Sequence, residues 1–275
     1  MTAITTRRLG GTVGAEVLDV DAERLLADDG LPGACMEALE EHGVLLFREL
    51  HADDDAQVAF CRKMGELARF PKYKNPNVME ISFEPGNPNA EYFASNDHWH
   101  IDGALDDIPA KASVLSARAT AGAGGETEFA STYAAYDDLT DEEKERYARL
   151  RVVHTFEAIQ RLTYPDPTPE QLAEWASRTV RELPLVWEHR SGRRSLVFGA
   201  TASHVAGMDV EEGRALLSGI ERRATAPDKV LRHTWSVGDM VMWDNRGLVH
   251  RACPFDRSEP RRMHRTTLLG DEAIR

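Results

Sequence analysis

Apolar residues fall in short, separated blocks along this chain, and their spacing alternates between the period of a strand and that of a helix. Small apolar pieces over 13–20 precede a helix expected over 31–41. The unbroken run Val44-Leu45-Leu46-Phe47 then reads as a strand buried on both faces. A second helix is expected over 53–67, with Val58, Phe60, Cys61 and Met64 supplying much of its apolar face. Residues 71–89 are rich in Pro and Asn around a strand candidate at 78–83, so this stretch reads partly as loop. Further strands are expected over 98–102, 112–119, 235–243 and 264–269, and a hairpin over 185–198 turns at Ser191-Gly192. Helices are expected over 132–135, 141–150, 169–178 and 209–224.

These strands do not alternate regularly with long helices, which argues against a doubly wound parallel sheet. Short strands with long insertions suit a barrel-like sandwich better. No internal repeat or low-complexity linker divides the 275 residues, so 1–275 is expected to be one catalytic domain. With 46 acidic against 33 basic side chains the formal charge is −13, a surface that repels phosphate backbones, so no nucleic-acid partner is expected. Of the two arginine clusters, HRSGRR over 189–194 reads as a solvated hairpin turn, whereas the one over 257–265 lies close to candidate chemistry. No run resembles a membrane span, and MTAITTRRLGG lacks the apolar stretch of a secretory signal. Cys35, Cys61 and Cys253 follow no disulfide or metal-binding spacing, which fits a reducing cytoplasm. A homo-oligomer is compatible with all of this.

The chemistry concentrates in His98-Trp99-His100-Ile101-Asp102 and in a histidine far downstream, His250. In a strand, residues two apart face the same side, so His100 and Asp102 can present an imidazole and a carboxylate to one point. If the fold returns His250 to that point, two nitrogens and one oxygen occupy one face of a metal. Three positions stay open, as in a non-haem Fe(II) oxygenase. Taken singly, each residue has a blander reading: a buried aromatic strand, a surface carboxylate, a core histidine. The glycine-rich turn over 121–125 lacks the spacing and the strand–helix setting of a dinucleotide fingerprint.

With these residues in view, the chain resembles the taurine dioxygenase family of Fe(II)- and 2-oxoglutarate-dependent enzymes over nearly its whole length. The resemblance runs through LGGTVGAEV at 9–17, GVLLFR at 43–48, HWHID at 98–102, GGETEF at 124–129 and AAY at 134–136. It ends in Gly238-Asp239, MWDNR at 242–246, His250, Arg261, Met263, His264 and Arg265. Within the family it most resembles the 2,4-dichlorophenoxyacetate dioxygenase branch, through GATASHV at 199–205 and the following Gly207. The resemblance implies a mainly β fold, a double-stranded β-helix (jelly roll, cupin-like) with flanking and inserted α-helices. It implies Fe(II) on His100, Asp102 and His250, with 2-oxoglutarate and O2 as cosubstrates. Arg261 matches the arginine that grips the distal carboxylate of 2-oxoglutarate, a task suited to a planar guanidinium that can donate two parallel bonds. Thr127 matches the hydroxyl partner of that carboxylate.

For substrate, Arg265 matches the arginine placed near an anionic head, Asn96 an amide that contacts substrate, and His204 a histidine of the aryloxyacetate branch. Two departures loosen the transfer of a herbicide substrate. Thr201 stands where that branch usually has another histidine, and Gly103-Ala104 replaces a more hydroxylated pair. Both changes would suit a bulkier or less polar acid. The implied reaction hydroxylates a small anionic organic molecule with release of succinate and CO2, and the product fragments if the carbon bears an ether oxygen or sulfonate. Asp102 argues against halogenation, because related halogenases carry a small residue there. No catalytic base is required, so His98 and His264 take no proton-transfer role. Desaturation, ring expansion or another rearrangement with the same cofactors is the nearest alternative, and a metal-binding jelly roll without turnover is a more distant one.

Overall fold

A computed structural model describes residues 3–275; Met1 and Thr2, which open the MTAITTRRLGG segment, lie outside it. The sandwich expected from the strand pattern is present as two facing sheets. The larger has seven strands in the order Thr6–Arg8, Ala15–Val17, Val44–Phe47, Met240–Asp244, Ala112–Ala119, Arg262–Leu268 and Met79–Ser82. Every pairing in it is antiparallel except that of Ala15–Val17 with Val44–Phe47. The smaller has Thr127–Ser131 between Val230–His233 and Leu248–Ala252, all antiparallel. This is the mainly β, helix-flanked jelly roll expected.

Alternation along the strands builds two separate layers of core. Leu45, Phe47, Val114, Met240 and Met242 face outward, where Leu31, Cys35 and Leu39 of the helix Leu31–His42 and Val58, Phe60 and Cys61 of the helix Asp54–Arg62 cover them. Their sequence neighbours Val44, Leu46, Leu115, Val241 and Trp243 face inward and meet Phe129, Trp235 and Leu248 between the sheets. That explains why Val44–Phe47 reads as a continuous apolar run: both of its faces are covered. Burying each such side chain contributes roughly 1.5–3 kcal/mol. The outer face of the smaller sheet packs on Trp99 of the first ligand block and on the inserted segment between the two ligand blocks, through Tyr136, Trp187, Phe198, Leu217 and Ile220.

Several boundaries differ from the sequence reading. The second helix stops at Arg62 rather than near 67, leaving Met64 in a turn that still packs on the core. The strand expected over 235–243 begins only at Met240, because Asp239 ties the chain into a turn by accepting hydrogen bonds from the backbone N–H groups of Ser236 and Glu49. Gly238 adopts φ +93° there, and a Cβ on it would strike the His51 ring at 2.3 Å. The helix Phe156–Thr163 falls outside the helices expected from the apolar spacing; its N-cap, Thr155, accepts from the backbone N–H of Ala158.

Candidate active site

His98–Asp102 is not the regular strand the alternation suggested. It meets the smaller sheet at a single antiparallel bridge, His100 with His250. Each residue donates its N–H to the other's carbonyl at 3.0 Å. That pair of bonds sets the two imidazoles side by side, ring centroids 4.2 Å apart. The His100 Nδ1–H donates to the His98 carbonyl at 2.8 Å, which turns Nε2 towards Asp102. His250 is clasped by Phe129 and Trp243, with centroids 6.2 and 4.7 Å away.

Asp102 opens a turn, and a buried side chain replaces the missing strand partner. Asn245 Oδ1 accepts from the Asp102 N–H at 2.8 Å while Asn245 Nδ2 donates to the Asp102 and Ala110 carbonyls at 2.7 and 3.0 Å. Gly103 follows at φ +74°, where a Cβ would lie 2.8 Å from an Asp106 oxygen. The Asp102 carboxylate then lies 3.9 Å from His100 Nε2 and 3.8 Å from His250 Nε2. The three side chains each offer one ligand atom, all within 4.8 Å of one another, two nitrogens and one oxygen.

Charge in this cluster favours metal binding. Burial alone would raise the Asp102 carboxyl, but Arg265, His250, His100 and a hydrogen bond from Ser113 Oγ at 3.0 Å outweigh it and keep it ionised. Burial, with His100 beside it, pushes His250 down to about 3, and burial lowers His100 as well. Two neutral imidazoles with free lone pairs and one carboxylate are the donor set a divalent transition metal needs. The residues fit the metal.

The candidate cosubstrate corner lies on the glycine-rich turn. Arg261 is buried, donates from Nε to the Gly125 carbonyl at 3.1 Å and has its guanidinium 5.1 Å from the Phe255 ring centre. Among the described residues it forms no ion pair, and burial lowers its pKa to about 10. Gly125 has φ +71°, and a Cβ there would meet Arg261 at 2.9 Å, so the turn needs glycine to lie against the arginine. Thr127 Oγ1 accepts from Trp235 Nε1 at 3.0 Å, which leaves the hydroxyl proton free to donate. Thr127 and Arg261 are legible from the family motif, whereas Trp235, Ser113 and the bridging role of Asn245 emerge only in the fold.

Arg265 Nη1 donates to Asp102 Oδ1 at 2.8 Å, and Nη2 lies 3.4 Å from Met79 Sδ. It lines a cavity of about 430 Å³ together with His100, Asp102, Phe70, Phe156 and Thr201. Asn96 sits in the short 3-10 helix Ala94–Asp97, and His204 on Ala202–Val205 has Nδ1 3.1 Å from Ser203 Oγ; neither is on the wall of this cavity. His264 lies behind the sheet, with Nδ1 2.6 Å from Asp54 Oδ1.

Outside the cluster, His154 and His189 are also buried, and burial pushes each down to about 4. The unfolded chain takes up a proton at each below the ordinary 6.5, whereas the fold refuses it until about 4. Their contribution to stability is therefore complete above pH 6.5 and lost as pH falls towards 4, at about 1.4 kcal/mol per pH unit for each ring. Urea unfolding of the metal-free protein across that window should show at least this slope, because His250 and His100 are lowered by burial as well, and His154→Gln should flatten it by one ring's share. An identical slope in the variant contradicts a neutral His154.

Residues 5–267 match the family described as taurine catabolism dioxygenase TauD, TfdA family. An alpha-ketoglutarate-dependent 2,4-dichlorophenoxyacetate dioxygenase of Burkholderia sp. (strain RASC) is 34% identical, covering 95% of this chain and 88% of that protein. An (S)-phenoxypropionate/alpha-ketoglutarate-dioxygenase of Sphingobium herbicidovorans is 30% identical, covering 96% and 94%. The crystal structure of AAD-2 in complex with Mn(II) and N-oxalylglycine superposes with a TM-score of 0.83 at 32% identity, covering 99% of this chain and all of that one. Among the described residues no helix is long and apolar enough to cross a membrane.

Proposed function

Because this chain belongs to the TauD, TfdA family of Fe(II)- and 2-oxoglutarate-dependent dioxygenases, we propose that it hydroxylates a C–H bond of a small organic anion. The observation that carries the reading is the two-histidine, one-carboxylate cluster opening on a cavity lined by an arginine. In this reading His100, Asp102 and His250 hold Fe(II), and Arg261 and Thr127 hold the distal carboxylate of 2-oxoglutarate. Bound there, Fe(II) with 2-oxoglutarate and O2 supplies the C–H oxidation, releasing succinate and CO2.

The protein's own residues do the positioning. Asn245 and the His100–His250 bridge fix the ligand directions before any metal arrives. By donating to Thr127 Oγ1, Trp235 leaves the Thr127 proton available for the carboxylate that Arg261 grips in this reading. Arg265 receives the substrate's anionic group; its ion pair with Asp102 holds the guanidinium at the cavity wall. Phe70, Met79, Phe156 and Ile159 give that wall an apolar stretch for the body of the acid. Asn96 and His204, off the wall, carry no contact in this reading. The relatives named above are dioxygenases of 2,4-dichlorophenoxyacetate and (S)-phenoxypropionate, acids of this kind.

Small acids should be screened with succinate release as the readout, each beside its neutral methyl ester, in the native protein and in Arg265→Ala. The native protein should prefer the acid, and the variant should lose roughly 1.5–3 kcal/mol of that preference. Equal losses on acid and ester would remove Arg265 from the anion contact. Under 18O2 the hydroxylated product should carry label. Loss of two hydrogens without label replaces hydroxylation by desaturation, and a chlorinated product in high chloride overturns the reaction class.

A further inference from the structure

His154 takes no part in the reading above, yet it is fully buried at the end of the strand Arg151–His154. Its Nδ1 lies 2.9 Å from Thr201 Oγ1, and among the described residues its Nε2 has no protein partner. Burial alone pushes it down to about 4, so at neutral pH the ring is uncharged and holds one proton on one of two nitrogens. Thr201 is on the wall of the cavity that also contains His100, Asp102 and Arg265. The backbone around it is pinned, because the Thr155 N–H donates to the Thr201 carbonyl at 2.8 Å and Ala202 pairs with His154.

The two tautomers of His154 have opposite consequences for the cavity. With the proton on Nε2, a buried N–H has no acceptor, and the Thr201 hydroxyl turns away from the cavity to donate to Nδ1. With the proton on Nδ1, the ring donates to Thr201 and only a lone pair goes unfilled. Orphaned buried donors are the rarer defect. The second tautomer leaves the Thr201 O–H without an acceptor among the described residues, so that it can donate into the cavity in front of it.

We propose that Thr201 is a specificity-determining residue whose hydroxyl, held from behind by the Nδ1–H of His154, donates to an ether or carbonyl oxygen of the substrate. The proposal rests on the reading of this cavity as the site of a small organic anion, and narrows it to acids that carry an uncharged acceptor oxygen. Much of the wall around Thr201 is apolar, including Phe70, Met79, Phe156, Ile159 and Leu269. A pre-oriented hydroxyl there discriminates between an acceptor oxygen and a methylene of similar shape.

Two measurements test this independently. In the full-length native protein, 15N–1H correlation of the imidazole rings should show the His154 proton on Nδ1; a proton on Nε2 overturns the proposal. Anaerobic calorimetry of the protein loaded with Mn(II) and 2-oxoglutarate then compares butoxyacetate with heptanoate, and 4-oxopentanoate with pentanoate. In at least one pair the oxygen-bearing acid should bind about fivefold more tightly, the worth of one neutral hydrogen bond. Thr201→Val should abolish that preference and Thr201→Ser should keep it, which separates the hydroxyl's role from any loss of packing. Equal affinities within both native pairs, or a preference unchanged in Thr201→Val, overturn the proposal. If no acid binds at all, the reading of the cavity fails, and the ring tautomer alone decides which way the hydroxyl points.

Discussion

Replacing His250 by alanine is expected to reduce substrate-dependent succinate formation to background, and His100→Ala and Asp102→Ala should do the same. Each change removes one of three protein donors from a site with no fourth candidate within reach among the described residues. Even partners that only orient a ligand are worth about 10- to 100-fold in metal affinity, so losing a ligand itself should cost more than a hundredfold. The three variants should differ in how they fail. His250→Ala also empties the space between Phe129 and Trp243 and should lower thermal stability. Asp102→Ala leaves the half-buried Arg265 without its carboxylate, an unpaired charge that should lower stability. Asp102→Asn keeps a side chain of the same shape beside Ser113 while removing the ligand charge, so it is the cleaner test of metal binding. Anaerobic equilibrium dialysis against Fe(II), paired with thermal unfolding, separates lost coordination from lost structure. Full turnover in all three alanine variants with controlled metal would end the assignment.

How much of this site was legible in the sequence depends on how local each contact is. The strands Val44–Phe47 and Ala112–Ala119 and the start of the helix Leu31–His42 were visible because apolar period and helix or strand packing are set within a few residues. The spacing of His100 and Asp102 points to them as ligands, but for a reason that only partly holds. That spacing implies a strand, whereas a single bridge and the Asn245 side chain impose the shared face. Asn245 is 143 residues from Asp102, and no local pattern tells a buried amide that replaces a strand from one that closes a turn. Trp235 was absorbed into an expected strand for the same reason: its indole N–H meets Thr127 across 108 residues. Gly125 did carry a signal. Its positive φ and the Arg261 side chain that packs against it account for a glycine pair that spacing alone left unexplained.

That pairing of turn and arginine underlies the second large effect. Arg261→Ala should weaken 2-oxoglutarate binding by about tenfold to more than a hundredfold, the equivalent of roughly 1.5–3 kcal/mol for a hydrogen bond to a charged group. The guanidinium is already buried without a carboxylate partner among the described residues, so the cost of removing it from water is met in folding and not again when the ligand arrives. An anion entering this corner therefore gains a pre-positioned donor. Comparing 2-oxoglutarate with 2-oxopentanoate, which has a methyl group in place of the distal carboxylate, isolates that contact. The native protein should discriminate strongly between them and Arg261→Ala only weakly, since the variant has lost the group that reads the difference. Arg261→Lys should recover part of the discrimination, because an ammonium restores charge but not the two parallel bonds. Thr127→Val should remove a smaller share, with Trp235 left as an unpaired donor. An unchanged 2-oxoglutarate dissociation constant in Arg261→Ala, with discrimination against 2-oxopentanoate intact, would move the distal carboxylate to another partner.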